Sequence, residues 1–193
     1  MSLTLRAALL VLFASVCAQA QTRTLALYAN STAGLDAESR TAMRNEVQRL
    51  LSPAGLDVVW RDAAQRAAGE DFELVAVASF QFTPSGASLA DTSITDGRII
   101  PFFNVECMRA MQMLGPRVDS ITLGRALGRI IAHEIYHIVA RTTDHHDTGV
   151  AKAAFSVRDL TNPRFEFDAW SLARMRPVVA GLSADGSNAT GRE

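Results

Sequence analysis

The chain has 193 residues, of which 48% are hydrophobic, and it contains only 6 prolines and 12 glycines. This length and composition suit one globular domain with a hydrophobic core. The formal net charge is −1, and the 19 lysines and arginines are scattered. The charge pattern therefore argues against a nucleic-acid groove and against a polybasic membrane patch.

The first twenty residues form a segment of their own. Arg6 is its only charged residue, residues 7–16 are almost wholly apolar, and small residues follow at Ala18 and Ala20. This is the pattern of a secretory signal peptide, and the apolar run is too short to span a bilayer. We predict a signal peptide over residues 1–20, with cleavage after Ala20.

The two cysteines have different predicted fates. A lipoprotein anchored through Cys17 is the alternative to simple cleavage, although Val16 is bulkier than the residue that usually precedes a lipidated cysteine. Cleavage leaves Cys107 as the only thiol, which forms no intrachain disulfide, and we expect it to be buried and inert. We expect a secreted or periplasmic monomer with no transmembrane segment after signal cleavage and no nucleic-acid partner.

The first half of the mature chain alternates between strand and helix patterns. Short apolar runs predict strands at residues 24–29, 56–60 and 73–80. Residues 36–51 have apolar side chains at helical spacing, and Ser52 and Pro53 end this helix. This order suggests a βαβ unit in a partly parallel sheet.

A polar loop and a further strand come next. Residues 83–98 are rich in Ser, Thr, Gly and Asp, which predicts a loop. The strand that follows runs from Ile99 to Val105. Because Pro101 has no N–H to donate, we place this strand at an edge of the sheet.

Two helices are predicted in the second half of the chain. Asp119 or Ser120 caps a long helix that runs from about Ile121 to Arg141, and a polar loop follows it. A last helix covers residues 165–175 and ends at Pro177. Residues 183–193 are small and polar and predict a frayed tail, so the domain covers residues 21–182.

The long helix contains the sequence His133-Glu134-Ile135-Tyr136-His137. His133 and His137 differ by only about 40° around a helix, so both imidazoles leave the same face, one turn apart. Two nitrogens placed in this way reach one Zn²⁺ at about 2.0–2.1 Å. Glu134 is placed beside the metal, where it holds a water molecule rather than acting as a ligand.

The surroundings of this motif support a buried site. The helix is apolar nearly all round, which is typical of a buried helix, and Gly124 and Gly128 allow another element to approach closely. Buried imidazoles and a buried carboxylate are costly unless they are hydrogen-bonded or bound to metal. All four histidines of the chain lie between residues 133 and 146.

A catalytic zinc ion needs a third protein ligand and an open position for water. His145 follows His137 after seven residues, a length that allows the chain to turn back toward the metal. Its neighbour His146 is an alternative third ligand. Glu166 and Asp168 offer a rival carboxylate ligand from the last predicted helix. We favour His145 over Glu166 because zinc prefers imidazole.

The pattern H-E-x-x-H-x7-H resembles the signature of the metzincin metallopeptidases, in which a third histidine follows a glycine turn. Residues 145–151 also resemble the stretch that follows the third ligand in matrixin-like enzymes, with His145 as that ligand. The spacer is two residues longer here, Ala140 stands at the glycine position, and Ala151 stands where a methionine is often found. The resemblance covers about thirty residues.

The resemblance implies an α+β, zincin-like single domain, with a small mixed sheet packed on a buried active-site helix and a C-terminal helix. The implied function is an exported zinc metallopeptidase with one catalytic Zn²⁺, held by His133, His137 and His145, and with Glu134 as general base. We expect its peptide substrate to pair with the edge strand from Ile99 to Val105. The alternative is a zinc-binding or interaction protein of the same fold without turnover.

Overall fold

A five-stranded mixed sheet and the helices packed on it make up the domain. The structure is a computed structural model that describes residues 22–30, 32–65, 72, 74–83 and 86–185. The predicted signal peptide lies outside the described residues, as does the part of the predicted tail after Asp185. The strands are β1 (Arg23–Ala29), β2 (Leu56–Asp62), β3 (Leu74–Gln81), β4 (Ala90–Thr95) and β5 (Arg98–Glu106). The α-helices are α1 (Ala37–Leu51), α2 (Cys107–Leu114), α3 (Ser120–Ala140), α4 (Val157–Thr161) and α5 (Ala169–Asp185).

The strand order in the sheet is β2-β1-β3-β5-β4. The first four of these strands are parallel to one another, and β4 pairs antiparallel with β5. The connection from β1 to β2 contains α1, and a crossover of this kind brings the second strand parallel to the first. The α+β class and the partly parallel sheet predicted from the sequence are therefore confirmed.

The edge strands are β2 and β4, of which β4 lies beside the long helix, and the prediction that the strand from Ile99 to Val105 lies at an edge is wrong. The corresponding strand, β5, lies between β3 and β4. Pro101 is tolerated there because the register between β4 and β5 shifts between Thr92 and Ile94, and pairing with β3 begins only at Phe102. A proline is acceptable where the regular ladder of hydrogen bonds is interrupted.

Residues 83–98 are not a single loop, because they include β4. The turn between β4 and β5 consists of Asp96 and Gly97, which have φ values of +50° and +72°. Asp-Gly is the residue pair that a two-residue hairpin turn with positive φ favours. The prediction of a single loop overlooked this dipeptide, which is the sequence signal for the hairpin.

Helices α1 and α3 agree closely with their predictions, and each has an aspartate cap. The side chain of Asp36 accepts a hydrogen bond from the Ser39 N–H at 2.7 Å, and Asp119 accepts one from the Thr122 N–H at 2.8 Å. Such caps satisfy N–H groups that have no partner within the helix. None of the described helices is long and apolar enough to cross a membrane.

The last helix differs from its prediction at both ends. It begins at Ala169 rather than at residue 165, and it continues past Pro177 to Asp185. Met175 and Val179 are both buried, one on each side of the proline. Their burial offsets the hydrogen bond that Pro177 removes, which costs about 3 kcal/mol in a helix interior.

Candidate metal centre

Helix α3 places His133, Glu134 and His137 in the interior, beside strand β4. The exposed fractions of His133, Glu134 and His137 are 9%, 5% and 7%. The ring centroids of the two histidines are 4.6 Å apart. The predicted common face of the helix is therefore present, and it is almost completely removed from solvent.

Backbone carbonyl groups determine which nitrogen of each ring carries the proton. Nδ1 of His133 lies 2.7 Å from the carbonyl oxygen of Val150, and Nδ1 of His137 lies 2.7 Å from that of Thr142. A carbonyl oxygen only accepts hydrogen bonds, so both Nδ1 atoms donate. The lone pairs of both rings therefore reside on Nε2. A second hydrogen bond that fixes the ring in this way is typical of histidines that bind metals.

The two Nε2 atoms face each other at 3.0 Å. Two lone pairs repel at this distance unless a proton or a metal ion lies between them. Burial lowers the pKa of His133 to about 3, and it also lowers the pKa of His137. A bridging proton is therefore disfavoured at neutral pH. Two nitrogens bound to one tetrahedral zinc ion stand about 3.3 Å apart, close to the separation here.

His145 completes the group from the loop after α3. One ligand atom from each of His133, His137 and His145 lies within 4.8 Å of the others, and this is the single such group of three in the described part of the chain. The His145 ring is 5.3 Å from the His133 ring and 4.8 Å from the His137 ring, between centroids. Unlike the other two, His145 is exposed. These three side chains could hold a metal ion.

The loop that carries His145 turns at two residues with positive φ. Arg141 ends α3 in the left-handed conformation, with φ +49°, so the turn comes one residue after Ala140. Gly149 has φ +68°, and a Cβ atom there would lie 2.6 Å from the carbonyl oxygen of Glu166. The longer spacer therefore still brings His145 back to His133 and His137, without a glycine at position 140.

Glu134 is held by the edge strand. The Thr92 hydroxyl donates to Oε2 of Glu134 at 2.5 Å. Burial raises the pKa of Glu134 to about 7, and the Thr92 hydrogen bond opposes this increase. A carboxyl group with a pKa near neutrality accepts and returns protons readily. Sequence reasoning missed Thr92, because its contact with Glu134 depends on the position of β4.

The rival ligands proposed from the sequence have other partners. Nδ1 of His146 is paired with the carboxylate of Asp168, and its ring stacks on Trp170 at 4.8 Å between centroids. Glu166 is exposed and forms an ion pair with Arg49 at 3.3 Å. None of these groups belongs to the histidine cluster, so among the candidates His145 is the one that the fold brings to His133 and His137.

Open space adjoins the histidines on two sides. A cleft of about 290 Å³ is lined by all three histidines, Glu134 and residues of β4. A second cavity of about 300 Å³ adjoins His133 and Glu134 near the start of β4, and its walls include Leu89, Met113 and Phe155. A molecule bound to the edge strand therefore reaches both Glu134 and the histidines.

No family model matches this chain, and neither does any curated protein or solved structure. The case for a function accordingly rests on the geometry of the histidine cluster and on the residues that resemble the metzincin signature.

Proposed function

We propose that the protein is an exported, zinc-dependent metallopeptidase with a zincin-like domain. The observation that carries this proposal is the pair of Nε2 lone pairs of His133 and His137, which face each other beside an exposed His145 and a buried Glu134. Three imidazole ligands and one open position are the donor set of a catalytic zinc site. The signal-peptide pattern of residues 1–20 supports export.

The chain would supply three functions besides holding the ion: proton transfer, orientation of a carboxylate and exclusion of water. A bound Zn²⁺ ion would polarise a carbonyl group and lower the pKa of a water molecule toward about 7. Glu134, with its raised pKa, accepts the proton of the attacking water and passes it to the leaving amine. The hydroxyl of Thr92 orients the carboxylate for this transfer. Burial of both histidines excludes bulk water from one side of the site.

The substrate of this enzyme is an extended peptide that pairs with β4. This strand pairs with β5 along one edge, and Ala90, Asp91, Thr92 and Ile94 line the cleft that holds the histidines. An exposed strand edge offers N–H and C=O groups to a further strand. Strand β4 therefore takes the role that the sequence assigned to the strand from Ile99 to Val105.

The alternative is a zinc-binding protein without turnover. The departures from the metzincin pattern at Ala140 and Ala151 support this alternative. It shares the metal site with the peptidase, so metal content alone does not separate them. Activity that depends on Glu134 does.

The first prediction concerns Glu134. The protein purified after export should contain one zinc ion per chain and should cleave an unstructured protein. Glu134→Gln should keep the zinc and lose at least about 100-fold in kcat/KM, because the proton acceptor is gone. Glu166→Gln, an exposed carboxylate on another face, is the control and should keep both. Stoichiometric zinc with no cleavage that depends on Glu134 would establish the alternative instead.

A further inference from the structure

A hollow with two arginines adjoins the cleft at the end of the edge strand. Its volume is about 900 Å³, and its walls come from the turn between β4 and β5, the start of β3 and the end of α3. Ile99 and Thr143 line both this hollow and the histidine cleft, so the two spaces are adjacent. The hollow is therefore accessible to the same extended molecule that lies in the cleft.

The hollow combines apolar walls with two exposed cations. Ile99, Pro101 and Ile138 contribute apolar surface, and Arg98 and Arg141 contribute the charges. Within the described residues, no side-chain hydrogen bond or ion pair is found for either arginine, including any to the nearby Asp96. A guanidinium group binds carboxylates with paired, charge-assisted hydrogen bonds. The chemistry of this hollow thus favours an acidic side chain.

The direction of β4 determines which part of a peptide reaches the hollow. The strand runs from Ala90 to Thr95, and Thr92 lies next to Glu134. A peptide paired antiparallel with β4 has its amino-terminal part at the Thr95 end, where Arg98 pairs with Thr95 across the hairpin. Three residues separate Thr92 from Thr95, which is about 10 Å along a strand.

We infer that the cleft selects peptides with an acidic side chain about three residues before the scissile bond, bound by Arg98 and Arg141. This inference rests on the proposed function, and it adds the substrate class. The apolar walls hold the stem of the acidic side chain, and the two guanidinium groups hold its carboxylate.

The test uses two peptide hydroxamates that differ in one residue, N-acetyl-Glu-Ala-Ala-hydroxamate and N-acetyl-Gln-Ala-Ala-hydroxamate. The hydroxamate group binds the metal ion, and the peptide that precedes it takes the amino-terminal side of the cleft. Calorimetry on the zinc-loaded full mature protein measures both Kd values without turnover. We expect the Glu peptide to bind about fivefold more tightly at low ionic strength, with the difference reduced in about 1 M salt.

Substitutions of the two arginines test whether they cause the preference for the Glu peptide. Arg98→Gln combined with Arg141→Gln should make the two Kd values equal, and Arg98→Gln alone should reduce the ratio without altering the end of α3. Arg117→Gln is the control, because it removes one positive charge from an exposed arginine just before α3. Arg117 lies about 30 Å from the Ala140 end of this helix, where the hollow is. This control should keep the full ratio, and the zinc content of each variant reports that the site is intact.

The two proposals fail in different ways. If the wild type binds both hydroxamates equally, or if the preference persists in the double variant, the inference is overturned and the metal site stands. If neither hydroxamate binds the zinc-loaded protein, the proposed function itself fails, and the inference fails with it.

Discussion

Among single residues, two backbone carbonyl oxygens determine which ring nitrogens of His133 and His137 carry protons. The carbonyl groups of Val150 and Thr142 accept from the Nδ1 atoms of His133 and His137, and both Nε2 atoms are thereby directed at one point. The motif predicted which face these rings share, because helical spacing alone sets it. The carbonyl partners could not be predicted, because they come from loops whose path depends on the whole fold.

The buried carboxyl group of Glu134 makes the stability of the metal-free protein depend on pH. Its pKa is about 7 in the folded protein and near 4.5 in the unfolded chain. Between these values the folded protein binds more protons than the unfolded chain, so the free energy of unfolding decreases as pH rises. Above about pH 7 the buried, charged carboxylate lowers the free energy of unfolding by its full amount. Below about pH 4.5 the group is protonated in both states, and it no longer affects the free energy of unfolding.

Glu134→Gln removes this titration, and denaturation of the metal-free protein tests the consequence. We expect the substitution to raise the free energy of unfolding by on the order of 3 kcal/mol at about pH 8, and by much less at about pH 4. The metal must be removed first, because a bound cation favours the charged carboxylate. A difference between the two proteins that does not change with pH would contradict this account.

Thr92 should affect catalysis through the carboxylate of Glu134, to which its hydroxyl group donates. Thr92→Val keeps the shape of the side chain and removes the hydroxyl group that donates to Glu134. We expect kcat to decrease about tenfold and the acidic limb of the pH profile to move to higher pH, because the general base loses a hydrogen bond that lowers its pKa. Thr92→Ser keeps the hydroxyl group and should restore most of the activity. Equal effects of the two substitutions would show that only packing is involved.

Among the elements, the crossing of α1 and α3 fixes the position of the site helix. A Cβ atom at Gly128 would lie 2.8 Å from the Met43 carbonyl oxygen and 2.8 Å from the Glu46 Cβ. The sequence predicted this close approach from Gly124 and Gly128, and the structure confirms it. Small residues at a crossing allow the two backbones to meet directly, which fixes the distance between the helices.

Gly128→Ala should therefore destabilise the protein although alanine is the better helix former. We expect a loss of about 1–3 kcal/mol in the free energy of unfolding, because the methyl group displaces α1. Gly181→Ala in α5 is the matched control, since nothing lies within 4 Å of a Cβ atom there, and it should be neutral or add up to about 1 kcal/mol. Urea denaturation measures both, and equal results for the two would contradict the tight crossing.

Elements with a strong apolar pattern were predictable, and the edge strand was not. Helices α1 and α3 and the parallel strands bury one or both faces, and burial leaves a period in the sequence. Strand β4 is half-exposed and reads ADTSIT, so its alternation is weak and only its Asp96-Gly97 turn marks it. Because β4 was missed, Thr92 and the cleft beside it were missed as well.

In the molecule as a whole, a buried ion pair joins three helices. Nε of Arg129 donates to Oε1 of Glu46 at 2.8 Å, and Nη1 donates to the Asp159 carbonyl oxygen at 2.7 Å. Both side chains of the pair are almost fully buried, with exposed fractions of 1% and 3%. This pair links α3 to α1 and α4.

Zinc affinity in histidine variants of the full mature protein decides whether the three histidines bind a metal ion. Competition with a chelator should give one zinc ion per wild-type chain, and His145→Gln should weaken binding by about 100-fold or more, because one of three ligands is lost. His146→Gln should bind zinc as tightly as the wild type, since His146 pairs with Asp168 instead. Equal affinities for wild type and His145→Gln, or a metal-free wild type in excess zinc, would contradict the metal centre described above.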